Sequence, residues 1–225
     1  MAILLHIDTS TEFASVALSN NQEIIGFATH DQQKNHGAFL QPAIQLICNE
    51  AGISLSQINA VVVANGPGSY TGLRIGLSSA IGLCYALNIP LITISTLQII
   101  AAAAKDSYAL EAERNELIFC PMIDARRMEV FTALYDNTLN IIEKEQPLIL
   151  SENSFSTYLQ SKKIVFCGNG HVKAKQIIQH SNAIFNQVQH SAKQLVLLGE
   201  THYKNKIFAN LAYTEPSYLK DFFMG

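Results

Sequence analysis

Apolar and polar positions fall into blocks along the chain whose periods read as strands and helices in a repeating order. Residues 3–7 (ILLHI) are an almost unbroken apolar run, the pattern of a buried strand. FASVALSN (13–20) and QEIIGFATH (22–30) read as two further strands, joined by the turn residues Asn20 and Asn21 into a β-hairpin. From His36 to Ala51 the period changes. Phe39, Leu40, Ala43, Ile44, Ile47, Cys48 and Ala51 recur at helical spacing, and Gly52 supplies the stop. NAVVVAN (59–65) predicts a fourth strand, the loop ANGPGSYTG (64–72) follows it, a helix is expected from about Tyr70 to Leu87, and IPLITIS reads as a fifth strand starting after Pro90.

The charged stretch SYALEAERNE (107–116) breaks this pattern and marks the expected junction between a lobe of residues 1–106 and a lobe of residues 107–225. After it the plan restarts. LIFCPMI is a strand, EVFTALYD pairs with it, LNIIEKEQ supplies a third, SENSFSTYLQ is expected to be helical, and KIVFCGNG is a strand ending in glycines. IDTSTEFASVAL (7–18) and IDARRMEVFTAL (123–134) both run Ile, Asp, polar loop, alternating strand, Ala, Leu. VVVANGPG (61–68) and KIVFCGNG (163–170) both end an apolar strand in Gly-x-Gly. Repeated local matches in a repeated order predict an internal duplication. A β-β-β-α-β-α unit used twice gives an α/β fold of two similar lobes facing across a cleft, with each Asp turn and each Gly-x-Gly turn directed into it.

Composition narrows the class. At 225 residues the chain can bury one large core or two smaller ones. With 15 Lys plus Arg against 18 Asp plus Glu, it has no broad positive field to attract nucleic acid by counterion release. Apolar residues make up 48% and charged ones 15%, an apolar balance that suggests surface buried against partners. Cys48, Cys84, Cys120 and Cys167 lie far apart within apolar stretches, as buried thiols do in a reducing, cytoplasmic compartment. MAILLHIDTS lacks a basic n-region, and LITISTLQIIAAAA is interrupted by polar residues, so a strand followed by a helix is expected there and no membrane span.

The chemistry-bearing candidates cluster at the predicted turns. Backbone N–H groups in tight glycine turns and at helix N-termini attract phosphate. Asp8, Thr9, Ser10, Gly66 and Gly68 in the first half, and Asp124, Arg126, Arg127, Gly168 and Gly170 in the second, are therefore candidate nucleotide contacts. The competing reading is that both aspartates hydrogen-bond their own turns. Gly66-x-Gly68 is followed by Thr71 where a dinucleotide fingerprint has glycine, and Leu73 and Arg74 follow Gly72 where a P-loop has lysine. His171, His180 and His190 are spaced nine and ten apart, which gives no shared helix face, and no HExxH or Gly-x-Ser-x-Gly is present. No metal site and no catalytic residue is expected. His36 is read as structural or solvated. The helix from Tyr70 carries apolar residues around most of its circumference, and Gly72, Gly76 and Ala80 form a small-residue stripe. Docking of a partner helix and sandwiching within the lobe both account for that pattern.

IDTST, GPGSYTGLRIG, IPLITISTLQ, IDARRMEVF and EPSYL, spread from Ile7 to Leu219, resemble the TsaB (YeaZ) family of the actin, sugar kinase and Hsp70 superfamily. The resemblance implies an actin-like ATPase or ribonuclease H-like duplication. It also implies a non-catalytic subunit that pairs with a larger paralogue, TsaD, and works with the ATPase TsaE. Together these transfer threonylcarbamoyl from its AMP adduct to N6 of adenosine 37 in tRNAs reading ANN codons. In this picture the chain holds no cofactor, ATP and Mg²⁺ serve the complex, tRNA is contacted mainly through the complex, and the isolated chain forms a homodimer. The family pairs through its first two helices, which here points to His36, Phe39, Leu40, Ala43, Ile47, Tyr70, Gly72, Leu73, Gly76, Ala80 and Leu83. The alternative is a stand-alone ATP-dependent phosphotransferase with Asp8 or Asp124 holding Mg²⁺ through water. A metallopeptidase is disfavoured by the missing histidine pair of the paralogue.

Overall fold

The computed structural model describes residues 2–30, 35–108 and 117–220, so most of the charged stretch expected as a junction, residues 109–116, lies outside the described residues. The chain divides into two compact units, Met1–Thr96 with His190–Ser217, and Leu97–Gln189 with Tyr218–Gly225.

In the first unit, β1 (Ile3–Asp8) lies at the centre of a five-stranded sheet, between β2 (Ala14–Asn20) and β4 (Ala60–Ala64). β3 (Glu23–His30) and β5 (Leu91–Ile94) form the edges. β1, β2 and β3 pair antiparallel, whereas β4 and β5 run parallel to β1. β1, β2 and β4 are buried on both faces, which is why they read as continuous apolar runs and not as alternating patterns. One face, with Leu5, Ile7, Val16, Leu18, Val61 and Val63, packs on α1 (His36–Glu50) and α2 (Tyr70–Leu87) through Leu40, Ile44, Ile47, Leu77, Ala80 and Cys84.

The second unit repeats the plan. Its sheet runs β10-β9-β6-β7-β8, with β6 (Leu117–Asp124), β7 (Glu129–Tyr135) and β8 (Ile141–Ile149) antiparallel and β9 (Lys163–Cys167) and β10 (Ala183–Asn186) parallel to β6. Strand order and direction match those of the first sheet, so the duplication read from the two Ile-Asp and two Gly-x-Gly segments is a duplication of topology. The α/β class and the two similar units stand.

Helices of the second unit differ from expectation. The segment 151–160 is helical only over α4 (Ser156–Leu159), and α5 (His171–Ile177) follows β9. The remaining helices also explain why the units do not coincide with residues 1–106 and 107–225. Nearly all of α3 (Thr96–Asp106), which follows β5, belongs to the second unit, and α6 (Leu195–Lys204), which follows β10, belongs to the first. Among the described residues no helix is long and apolar enough to cross a membrane.

Candidate functional site

Asp8 ends β1 and is 1% exposed. Its Oδ1 accepts from the Ser10 backbone N–H at 3.0 Å and from the Ser10 hydroxyl at 2.7 Å. Its Oδ2 lies 3.5 Å from His190 Nε2, which is also 3.3 Å from Ser10 Oγ. Aspartate, serine and histidine thus converge, but not as a nucleophilic triad. The serine proton is directed at the carboxylate, and a single imidazole nitrogen faces both partners, leaving no base free to activate Ser10. The carboxylate is satisfied by its own turn and by a histidine 182 positions downstream, which favours the turn-holding reading of Asp8.

The glycine loop after β4 closes against that turn. The Ser69 N–H donates to the Ser10 carbonyl at 2.7 Å, and the Ser69 hydroxyl caps α2 by accepting from the Gly72 N–H at 3.2 Å. Two N–H groups that a phosphate would recruit at this helix start are therefore engaged within the protein. Gly66 has φ +106°, a left-handed conformation that only glycine takes without strain, and the Gly66–Pro67 peptide is cis. The Ser217 N–H reaches the Asn65 carbonyl at 2.7 Å, so Ser217 packs on this loop. Ser10 and Thr9 backbone carbonyls occupy the space in front of Gly68 and Gly72, and Thr9 Oγ1 occupies that in front of Gly76.

The second unit has the same arrangement with a different plug. Asp124, at the end of β6, is 42% exposed at its side chain and pairs with Lys173 of α5 at 2.8 Å. Its Oδ1 also accepts from the Arg126 N–H at 2.7 Å, and its own N–H donates to Asn169 at 2.9 Å. Burial alone raises the Asp124 carboxyl, but the hydrogen bonds from Lys173 and Arg126, together with the lysine charge, hold it below the usual carboxylate range. Arg126 and Arg127 both lie in the left-handed region, at φ +70° and +47°, and are exposed. Gly170 donates to the Met122 carbonyl at 3.0 Å, and Gly168 packs against that same carbonyl. The lysine ammonium thus stands where a cation held by Asp124 would stand.

The helical candidates divide by burial. His36, Leu40, Ala43, Ile47, Gly72, Leu73, Gly76 and Ala80 face the unit's own core, Phe39 and Leu83 are half-buried, and Tyr70 is exposed. The small-residue stripe is therefore an inward feature: it lets α2 approach Ile7 and Thr9 of the same unit. His36 Nε2 bonds the Thr11 carbonyl at 2.8 Å, tying the start of α1 to the β1–β2 turn. Apart from Tyr70, the outward face is a different set of residues. α1 presents Gly37, Ala38, Gln41, Pro42, Gln45 and Leu46, and α2 presents Tyr70, Thr71, Arg74, Ser78, Gly82 and Tyr85. Gly37 adjoins the α2 residues around a shallow hollow of about 540 Å³, where Arg74 stacks 3.9 Å above the Tyr70 ring. Tyr85 is 83% and Leu46 52% exposed, and the charged residues exposed on the two helices are Arg74 and, at the end of α1, Glu50.

His190 is a site residue outside the sequence candidates, since its spacing from His171 and His180 bears only on metal ligation. Nothing local to His190 signals Asp8. Among the described residues no three His, Cys, Asp or Glu side chains converge as metal ligands would. All four cysteines are free and buried, and burial pushes the Cys84 thiol up to about 11 and raises those of Cys48, Cys120 and Cys167.

Residues 13–222 match the family model described as TsaD, tRNA N6-adenosine threonylcarbamoyltransferase. The chain is 29% identical to the tRNA threonylcarbamoyladenosine biosynthesis protein TsaB of Bacillus subtilis, over 96% of this chain and 93% of that one. It is 28% identical to TsaB of Haemophilus influenzae, over 97% and 93% of the two chains. The crystal structure of a Pseudomonas aeruginosa protein described as similar to peptidase YEAZ superposes with a TM-score of 0.84 at 26% identity, covering 98% of this chain and all of that one.

Proposed function

The chain belongs to the family of the tRNA N6-adenosine threonylcarbamoyltransferase model, within it to the TsaB group, and from that premise we propose that it is the non-catalytic, activating subunit of the machinery. Its role lies in tRNA threonylcarbamoyladenosine biosynthesis. The observation that carries the non-catalytic reading is the state of the two Asp turns: Asp8 is closed by Ser10 and His190, and Asp124 by Lys173. A carboxylate engaged in this way has little left to offer a substrate or a metal-bound water.

In this reading the outward face of α1 and α2 docks the TsaD paralogue, which supplies the active site, and docks a second copy of this chain when the paralogue is absent. TsaE acts on the pair, and ATP and Mg²⁺ are used by the assembly and not by this chain. Support comes from the chemistry of the face: two adjacent helices presenting small, aliphatic, aromatic and uncharged polar side chains, with Arg74 and the terminal Glu50 as the charged members, a composition that loses little on desolvation. The transfer of threonylcarbamoyl to tRNA then depends on this chain without passing through it.

Reconstitution with the cognate TsaD and TsaE tests the proposal. Omitting the chain should abolish modification, and the chain alone should give none. Ser78→Arg with Tyr85→Asp, both on exposed positions, should leave the circular dichroism spectrum unchanged and weaken pairing by about tenfold or more, because each charge is stranded on burial. Full modification without the chain, or by the chain alone, overturns the reading.

A further inference from the structure

The first unit carries a second polar cluster at the opposite end of its sheet from Asp8. Ala2, Asn21 of the β2–β3 turn, Pro90 ahead of β5 and the C-terminal end of α6 surround a bowl of about 540 Å³. Glu200 lines it and is 2% exposed, a burial that glutamate rarely tolerates without a purpose. Its Oε1 pairs with Lys204 Nζ at 3.1 Å, but Oε2 is buried with no hydrogen-bond partner among the described residues. An unmatched carboxylate oxygen inside a protein is costly, and a donor brought to it is correspondingly well held. Lys204, its side chain 62% exposed on a flexible stem, closes off the buried carboxylate, and it must swing aside before a donor in the bowl reaches Oε2.

Around this acceptor the bowl is two-sided. Lys204 and Lys206 are both among its lining residues. Tyr203 and Phe208, with ring centroids 6.1 Å apart and tilted, supply an apolar wall. An acceptor lacking a donor, a pair of cations and an aromatic wall within a cavity of this size match a molecule with one ammonium, one anionic group and an apolar body.

We propose that this bowl binds a free α-amino acid with an apolar side chain. The ligand's ammonium donates to Glu200, its carboxylate lies against Lys204 and Lys206, and its side chain packs on Tyr203 and Phe208. None of these residues belongs to the Asp turns or to the outward face of α1 and α2, so the site stands or falls independently of the proposed function.

Saturation-transfer NMR on the full chain tests it, with L-phenylalanine and L-leucine as probes and with phenethylamine and 3-phenylpropionate as half-probes that lack the carboxylate and the ammonium. At least one amino acid should bind at millimolar concentration, and each half-probe about tenfold more weakly than L-phenylalanine. Glu200→Gln, close in shape, should weaken amino-acid binding about tenfold and leave 3-phenylpropionate unchanged. Lys206→Met, at an exposed position, should weaken L-phenylalanine and 3-phenylpropionate but not phenethylamine, and it decides the matter even if Glu200→Gln does not fold. No transfer to either amino acid at about 10 mM, half-probes that bind as well as L-phenylalanine, or amino-acid binding untouched by Lys206→Met overturns the proposal.

Discussion

Replacing Gly76 by alanine adds one methyl group where α2 lies against the Asp8 turn. The new carbon would overlap Thr9 Oγ1 and sit 3.5 Å from Ile7 Cγ2. Thr9 Oγ1 is not free to yield, because it donates to the Gly72 carbonyl at 2.7 Å inside the core. Turning it aside leaves the buried Thr9 hydroxyl without its acceptor, at about 1–3 kcal/mol. Holding the side chain off its rotamer adds about 0.5–1.5 kcal/mol. Alanine recovers about 1 kcal/mol of helix propensity, so the net is a loss of about 0.5–3.5 kcal/mol. Gly82, on the same helix, has nothing within 4 Å of its added carbon and is exposed. Gly82→Ala should therefore stabilise by about 0.5–1 kcal/mol. Equilibrium urea unfolding followed by circular dichroism separates the two by the sign of the midpoint shift. Thr9→Ala combined with Gly76→Ala should be less destabilised than the sum of the single variants by about 1–2 kcal/mol, since the obstructing oxygen is gone. If Gly76→Ala instead stabilises, in the manner of Gly82→Ala, the inward assignment of the stripe is wrong and it becomes a docking surface after all.

Two further outcomes follow from buried histidines. His6 is fully buried with Nε2 2.8 Å from Ser19 Oγ, and burial lowers its pKa from 6.5 to about 3. The unfolded chain therefore takes up the proton first: stability is complete above pH 6.5 and falls as the pH drops towards 3, with a slope approaching about 1.4 kcal/mol per pH unit. Urea midpoints measured from pH 8 to pH 5 should show this decline in the native chain and a shallower one in His6→Asn. His190→Ala removes the imidazole from Asp8 and Ser10 and should destabilise the first unit by about 1–3 kcal/mol, and Asp8→Asn in the same chain should recover part of that loss. An unchanged unfolding midpoint in His190→Ala would show that the contact carries no stability.

Every strand of the two sheets except β10, and the long helices α1 and α2, were legible in the residues themselves, because local period reports which faces are covered. The matching Ile-Asp and Gly-x-Gly segments also disclosed the duplication, since a turn that must pack against a neighbouring loop restricts residue type wherever it recurs. Less was legible in the second half. α5, β10 and α6 are short and bear mixed polar residues, and 151–160 shows a helical pattern of which only Ser156–Leu159 is realised. The direction of α2 could not be read at all. A stripe of glycine and alanine permits close approach to a foreign helix or to the chain's own backbone with equal ease, and only the position of Thr9 decides between them. Likewise, an aspartate after a strand has the same local sequence whether it holds a metal, a substrate or its own turn. What closes Asp8 is His190, 182 residues away, and what closes Asp124 is Lys173 from the next helix but one. Period and composition record burial one segment at a time, whereas the partner of a buried charge is set by which segments the sheets bring together, and that pairing exists only in the folded chain.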